Sequence, residues 1–543
     1  MRNYLFIILV HIGLISFAQT TYKIPPQFVK RKGSQLVVGI KDSAVHLQGM
    51  SFTNWVHTNV ELPVTHHNEE DFKRLAQSGM NVVRFYMNYL TFETDEKPYT
   101  YKKEGFDWID KNIQWAKKHG VYLILNMHVP QGGFQSGCQG EALWNDRENQ
   151  SRLKALYKVL ANRYINEPTV LGYDLVNEPV VTQSIDQWKK LAQELTDEIR
   201  RVDRNHLIIA ERLNAINCHW DNDENNNLFL INDENTLYTF HFYSPIEYTH
   251  QNASWTSFGD GGKYPDEHIL QFPSDTKWYS CINSNPKIPA GNSSWKFYEG
   301  IKYTVNDTNI ICSKPACLAR NIGEGKAYYD DFIIKEYDET GKFIRDIYKV
   351  NITTRDGWWF WSANDKGSSN IASTGHDDDL SLELSQTDAD ANASSNTYRF
   401  KVTQGYSYSI SGWMKGEQIP AGAECRYRLD FETSPSHGIV THRDKEYLEL
   451  EVNKFLAFGK KHNVPMYCGE FGVINNCFKD DKGGLNWVSD ILDIFTKYNV
   501  HYTYHAYHED AFGLYYGYNT PIDHNNGNMP LIKLFKTKLT GKP

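Results

Sequence analysis

The chain lacks the marks of several protein classes. Lys and Arg (57) do not outnumber Asp and Glu (66), and the net charge is −9. No basic surface for a nucleic-acid partner is therefore expected. The 8 cysteines, at 138, 218, 281, 312, 317, 425, 468 and 477, form no Cys-x-x-Cys pair, which removes the usual zinc pattern. Cys312 with Cys317, and Cys468 with Cys477, are near enough in sequence to be considered as bridges, but spacing does not fix connectivity and buried thiols fit equally well. Past the N-terminus no apolar run has the length of a membrane span. The run from Tyr4 to Phe17 follows Arg2 and ends in Ser16-Phe17-Ala18. It reads as a secretory signal peptide over residues 1–18, too short for a span and with no cysteine nearby to carry a lipid. A secreted, periplasmic or cell-surface protein is expected, in a compartment that permits disulfides.

What the chain does have is length and aromatic content. Its 543 residues suffice for two or more domains, and 14% of them are aromatic, with 14 Trp and 34 Tyr. Those rings serve core packing, sugar stacking, or both. The central stretch is Gly172-Tyr173-Asp174-Leu175-Val176-Asn177-Glu178-Pro179. Its apolar part is too short for a helix and reads as a buried parallel strand, and Pro179 stops the ladder. Asn177 and Glu178 are thus delivered at a strand's C-terminal end, where α/β folds do their chemistry. Far downstream, Val464-Pro465-Met466-Tyr467-Cys468 is another such strand, and it delivers Glu470 between two glycines that permit close approach. Two carboxylates at two strand ends are the parts needed for glycoside hydrolysis, one protonated and one ionised.

The segments between follow one grammar. Asn68-Glu69-Glu70-Asp71 opens a helix with a capping residue and an acidic first turn, Gly79 closes it, and Asn81-Val82-Val83 delivers Arg84. A helix through Ile109, Ile113 and Ala116 leads to the strand 121–127, which delivers His128. The helices 152–165 and 186–200 lead to strands 171–176 and 207–210. Leu237-Tyr238-Thr239-Phe240 delivers His241 and Tyr243, which two-residue spacing places on one face. The strand 500–507 carries His505. Strands alternating with helices predict a parallel sheet. Numbered from the strand that ends near Asn54 and Trp55, Arg84 ends the second, Glu178 the fourth, His241 the sixth and Glu470 the seventh. That count fits a (β/α)8 TIM barrel, in the α/β class, with its site at the C-terminal face.

Glu470 follows Glu178 by 292 positions, whereas three barrel units need about 100 at ~30 each. From Tyr264 to Ser436 the helical period gives way to short alternating runs such as 328–334, 406–411 and 426–431, separated by Gly, Asn, Asp and Ser. This reads as an all-β sandwich inserted after the sixth strand. The expected organisation is a signal peptide over 1–18, barrel over 27–263, sandwich over 264–436 and barrel again over 437–543. Trp358, Trp359 and Trp361 are candidates for a sugar platform or for core.

On these residues the chain resembles glycoside hydrolase family 5, the large cellulase and mannanase family. Its insert resembles the jelly-roll carbohydrate-binding modules of secreted polysaccharide-degrading enzymes, although Tyr328-Tyr329-Asp330-Asp331-Phe332, which normally closes such a module, here precedes the Trp358–Trp361 segment that normally opens one. The resemblance implies retaining hydrolysis of a β-linked polysaccharide, most simply β-1,4-glucan, with β-mannan or another β-glucan as alternatives. A non-catalytic glycan-binding barrel is the rival from another class. Glu178 would be the general acid/base and Glu470 the nucleophile. Arg84 would keep Glu470 ionised, Asn177 would hold the sugar 2-hydroxyl, and Tyr243 would orient Glu470. His128 and His241 occupy substrate-binding positions of the family, and Trp55 and Trp144 are candidates for cleft wall. His505, a substrate-binding candidate, departs from the family pattern, which places a Trp there under the sugar at the cleavage point; either His505 takes over a polar contact to the sugar or a neighbouring Tyr supplies the stacking. No metal or organic cofactor is implied. The expected partners are a polysaccharide or oligosaccharide substrate and neither nucleic acid nor membrane, and the protein is expected to be a monomer.

Overall fold

The computed structural model of the chain describes residues 27–57, 61–220, 227–256, 258–273, 275–363, 367–377, 379–385, 390–434 and 440–542. The expected signal peptide lies outside the described residues. The chain divides into two compact units, Met1–Lys263 with Glu449–Pro543, and Tyr264–Leu448.

The first unit is a closed barrel of eight parallel strands: β1 (Gln48–Phe52), β2 (Val82–Asn88), β3 (Tyr122–Val129), β4 (Val170–Asp174), β5 (Leu207–Glu211), β6 (Thr236–Phe242), β7 (Met466–Phe471) and β8 (His501–Tyr504). β3, β4, β5, β7 and β8 are buried along their whole length, as strands with one face on helices and the other in a filled interior must be. The lower interior is packed by Val82, Tyr122, Ile124, Leu171, Leu207 and their neighbours. The helix expected over 152–165 begins earlier, at Arg147, capped by Asp146, and runs to Tyr164, while two others start or stop where the sequence signals. Asn68 accepts from Glu70 N and forms a capping box with Asp71 ahead of the helix Glu69–Gln77. The helix Lys103–His119 ends at Gly120 in a left-handed conformation, φ +71, which a glycine adopts without steric cost.

Two strand ends differ from the sequence reading. β4 stops at Asp174 rather than Val176, although Leu175 N still bonds Ile209 O at 3.1 Å and Asn177 N bonds Met127 O at 3.0 Å. β7 runs on through Glu470 to Phe471, paired with β6 at His241 and Phe242. Glu470 is therefore part of the barrel wall, whereas Glu178 stands on the loop beyond β4.

The second unit follows β6 in the chain and precedes β7. A six-stranded and a seven-stranded antiparallel sheet enclose one core that includes Cys317, Tyr329, Phe332, Leu382, Tyr408, Tyr427 and Phe431. The first and last strands of the unit, Asp266–Gln271 and Thr441–Arg443, pair with each other, so the chain enters and leaves side by side.

Cys138 and Cys218 form a disulfide across 80 residues, and the other six cysteines are free. Cys312 and Cys317 do not bridge, because both lie on the strand Ile310–Arg320, where five residues of extended chain hold them about 17 Å apart.

Candidate active site

The site is assembled around Arg84, which β2 places fully buried inside the barrel. A buried guanidinium needs partners for all its donors. Arg84 Nε donates to Asp174 Oδ2 at 2.8 Å, Nη1 to Glu470 Oε1 at 2.6 Å and Nη2 to Asn177 Oδ1 at 3.0 Å. A further short contact joins Nη2 to Glu211 Oε1. Burial works against the charge, but Asp174, Glu211 and Glu470 outweigh it and hold the guanidinium firmly protonated.

Glu470 is the most heavily supported carboxylate. Beyond Arg84 it accepts from Tyr86 Oη at 2.7 Å on Oε1 and from Tyr243 Oη at 3.0 Å on Oε2. Burial pushes its pKa up, but the charges of His241, His505 and Arg84 prevail and hold it well below the usual carboxylate range. It is an anion at neutral pH, preorganised by hydrogen bonds on both oxygens.

Glu178 is held differently. Its φ is +43, in the left-handed region that non-glycine residues seldom adopt, and such strain gathers at functional sites. Its backbone N–H donates to Glu211 Oε2 at 2.8 Å, which fixes the loop to the end of β5. Its side chain meets His241 Nδ1 at 2.8 Å through Oε1. A carboxylate oxygen of Glu178, one of Glu470 and a ring nitrogen of His241 lie within 4.8 Å of one another.

His241 therefore sits among three carboxylates, with Nδ1 3.7 Å from Glu470 Oε2 and Nε2 3.6 Å from Glu211 Oε1. Burial disfavours its charged form, but Glu470, Glu211 and the bond to Glu178 raise its pKa well above 6.5. Glu178 responds in the opposite sense. Burial and Glu470 raise its pKa, while the hydrogen bond and charge of His241 lower it below the usual value. The pair thus holds one proton between them at neutral pH. The three residues bring ligand-capable atoms together, and a cation could bind there only in place of the proton on the His241 ring. At the floor of the cluster, burial raises Asp174 to about 7 against the pull of Arg84.

The remaining expected residues are distributed as follows. Asn177 is buried, with Nδ2 3.1 Å from Ser136 Oγ. His128 stacks on Tyr86 with ring centres 3.9 Å apart, and burial keeps it neutral. His505 Nδ1 lies 3.1 Å from Tyr86 Oη and 4.0 Å from Glu470 Oε2. Trp55 and Trp144 are both buried. Trp55 packs edge-on against His66, and Trp144 gives its N–H to Gln135 Oε1 at 2.8 Å. The rings drawn together around the carboxylates are instead Tyr86, Tyr243, His128 and Phe512, the last with its centre 5.5 Å from that of His505.

Sequence reasoning missed Asp174, Glu211 and Tyr86. Each left a signal. Asp174 is a carboxylate inside an apolar strand, Glu211 is the next residue after the apolar run Leu207–Ala210, and Tyr86 follows Arg84 by two on the same strand face. Trp255, not singled out in the sequence, is 61% exposed with its ring centre 6.5 Å from Phe512.

Residues 38–290 match the family model for cellulase, glycosyl hydrolase family 5. Endoglucanase C of Acetivibrio thermocellus is 32% identical over 220 residues, which cover 39% of this chain and 63% of that protein. Cellodextrinase A of Ruminococcus flavefaciens is 26% identical over 225 residues, 40% of this chain and 65% of that protein. The chain thus spans less than two thirds of the length of these relatives. The solved structure of endoglucanase Cel5A from Thermotoga maritima aligns over 90% of this chain and 96% of that one, at 16% identity and a TM-score of 0.47, too slight a likeness to carry an argument. Among the described residues no helix is long and apolar enough to cross a membrane.

Proposed function

We propose that the protein, whose residues 38–290 match the model of the cellulase family, glycosyl hydrolase family 5, is a retaining endo-acting β-glycanase with β-1,4-glucan as its substrate. The observation that carries this reading is the approach of Glu178 and Glu470 to within 4.8 Å, oxygen to oxygen. Retaining enzymes hold their two carboxyls ~5–5.5 Å apart, while inverting enzymes leave roughly 6.5–9.5 Å for a water.

In the first step Glu470 attacks the anomeric carbon and the C–O bond to the leaving sugar breaks. The leaving oxygen takes a proton from Glu178, whose supply is the proton shared with His241. Asn177, tied to Arg84, faces the 2-hydroxyl and strengthens its hold in the transition state. When Glu470 becomes an ester its negative charge disappears. The charge that had favoured a proton on Glu178 is then gone, and Glu178 acts as base toward the incoming water. Water adds to the anomeric carbon, the ester bond breaks, and Glu470 leaves as a carboxylate. The chain acts as a secreted enzyme, a monomer without a metal or organic cofactor, and its Tyr264–Leu448 unit serves as a carbohydrate-binding module.

Incubation of the purified protein with soluble β-glucans and β-mannans, beside E470A, tests this reading. Oligosaccharides of mixed length from β-1,4-glucan, absent with E470A, are expected. Release only from mannan would move the substrate, and no release from any polymer would contradict the hydrolase reading.

A further inference from the structure

The strand Trp358–Ser362 is an edge strand of the six-stranded sheet and pairs with Asp390–Ser395. Side chains alternate along it. Trp358 is 7% exposed and packs in the core, whereas Trp359 and Trp361 are 64% and 54% exposed. These two share the outer face, about 6.7 Å apart at the repeat of an extended chain. An indole is costly to leave in water, and two on one face of one strand form a continuous apolar strip.

Their surroundings indicate what covers them. Ser394 stands opposite Trp359 and Asn392 opposite Trp361, both partly exposed. Farther across the same face the charged groups neutralise one another. Arg320 Nη2 binds Asp390 Oδ2 at 2.8 Å, Arg428 Nε binds Asp430 Oδ1 at 2.6 Å, and Lys314 Nζ binds Glu432 Oε1 at 2.8 Å. These charges are paired, and Arg428, Asp430 and Glu432 are buried besides, so none of them is offered to a charged partner. What remains is a narrow pair of flat rings bordered by an amide and a hydroxyl.

We infer that Trp359 and Trp361, with Asn392 and Ser394, form a binding site for a neutral β-linked polysaccharide on the outer face of the six-stranded sheet. Pyranose rings with equatorial substituents present flat C–H faces, which suit the indoles, and hydroxyl edges, which suit the amide and the serine. The strip accommodates successive sugars of one chain. The inference rests on the reading of this unit as carbohydrate-binding and assigns the site within it.

The test is native gel electrophoresis of the full chain through gels containing soluble β-1,4-glucan derivatives or β-mannan. All variants carry E470A, so that the polymer is not cut. W359A/W361A should lose retardation, with an apparent Kd raised on the order of tenfold or more, and W359Y/W361Y should restore part of it. W295A, on the other sheet, serves as the control. Hydrolysis of a small aryl glycoside by W359A/W361A with Glu470 intact should equal that of the unsubstituted protein. Unchanged retardation of W359A/W361A, equal loss with W295A, or no retardation of the parent in any gel overturns the inference. In each case continued aryl glycoside hydrolysis leaves the proposed hydrolase function standing.

Discussion

The Nδ1 atom of His241 lies 2.8 Å from Glu178 Oε1 and 3.7 Å from Glu470 Oε2. One imidazole thus spans the two carboxylates that divide the acid and nucleophile roles. It also sets both limits of the pH profile. Glu470 stays ionised to well below 4.5, so the acidic limb lies low. The proton held by Glu178 and His241 departs only as pH rises through a value well above 6.5, so the basic limb lies high.

H241Q removes this support in both directions. Glu470 loses a neighbouring cation, which moves the acidic limb up, and Glu178 titrates alone, which moves the basic limb down. The expected result is a narrower bell in kcat/KM and a loss of about tenfold or more at the optimum, less than the ~10²–10⁴-fold that loss of the general acid itself costs. A pH profile on a soluble substrate measures it. An unshifted profile with lower amplitude would show that His241 only packs the site.

Arg84 is the counter-charge for Asp174, Glu211 and Glu470. R84Q leaves buried carboxylates unpaired, a defect that costs about 3–5 kcal/mol. The sign with pH follows from linkage. Without Arg84 the folded-state pKa of Glu470 loses its depression and that of Asp174, already raised to about 7, climbs further, so the penalty grows as pH rises through the carboxylate range and is relieved as pH falls. Urea unfolding should therefore show a larger gap between R84Q and the parent at pH 8 than at pH 5. Equal gaps would contradict this charge account.

The Cys138–Cys218 bond ties the loop after β3 to the segment after β5. Closing 80 residues restricts the unfolded chain, and C138S/C218S is expected to lose about 2–4 kcal/mol. Denaturant unfolding under oxidising conditions provides the check.

Trp255 stands exposed beside Phe512, whose ring is 5.8 Å from that of Tyr243. We predict that this ring stacks on a sugar beyond the one being cleaved. W255A should raise KM for oligosaccharides by up to about tenfold, roughly 1.4 kcal/mol, and leave an aryl glycoside of a single sugar unaffected. Equal effects on both substrates would count against it.

Much of this arrangement is legible in the sequence because strand ends punctuate it. Asn177 and Glu178 follow β4 just ahead of Pro179, glycines flank Glu470, and two-residue spacing aligns His241 with Tyr243. The helix after Asn68 and the α/β alternation follow from local signals that tertiary structure does not override. Asp174 and Glu211 are harder to read. Their roles depend on Arg84 reaching across the barrel to β4, β5 and β7, and no local pattern encodes a contact between strands so distant in sequence. The cysteine pairing is of the same kind, since Cys138 and Cys218 meet only once the loops after β3 and β5 are placed. The faces of Trp358 and Trp359 become distinct only when the register with Asp390–Ser395 is known.

The central claim is that Glu470 becomes covalently bound to sugar while Glu178 manages the proton. Its most direct test is reaction with an activated 2-deoxy-2-fluoro β-cellobioside, followed by mass analysis of peptides. The account predicts a gain of one fluorinated cellobiosyl group on Glu470, and retained β-configuration in the first product released from normal substrate. An unlabelled Glu470 together with an inverted product would contradict it.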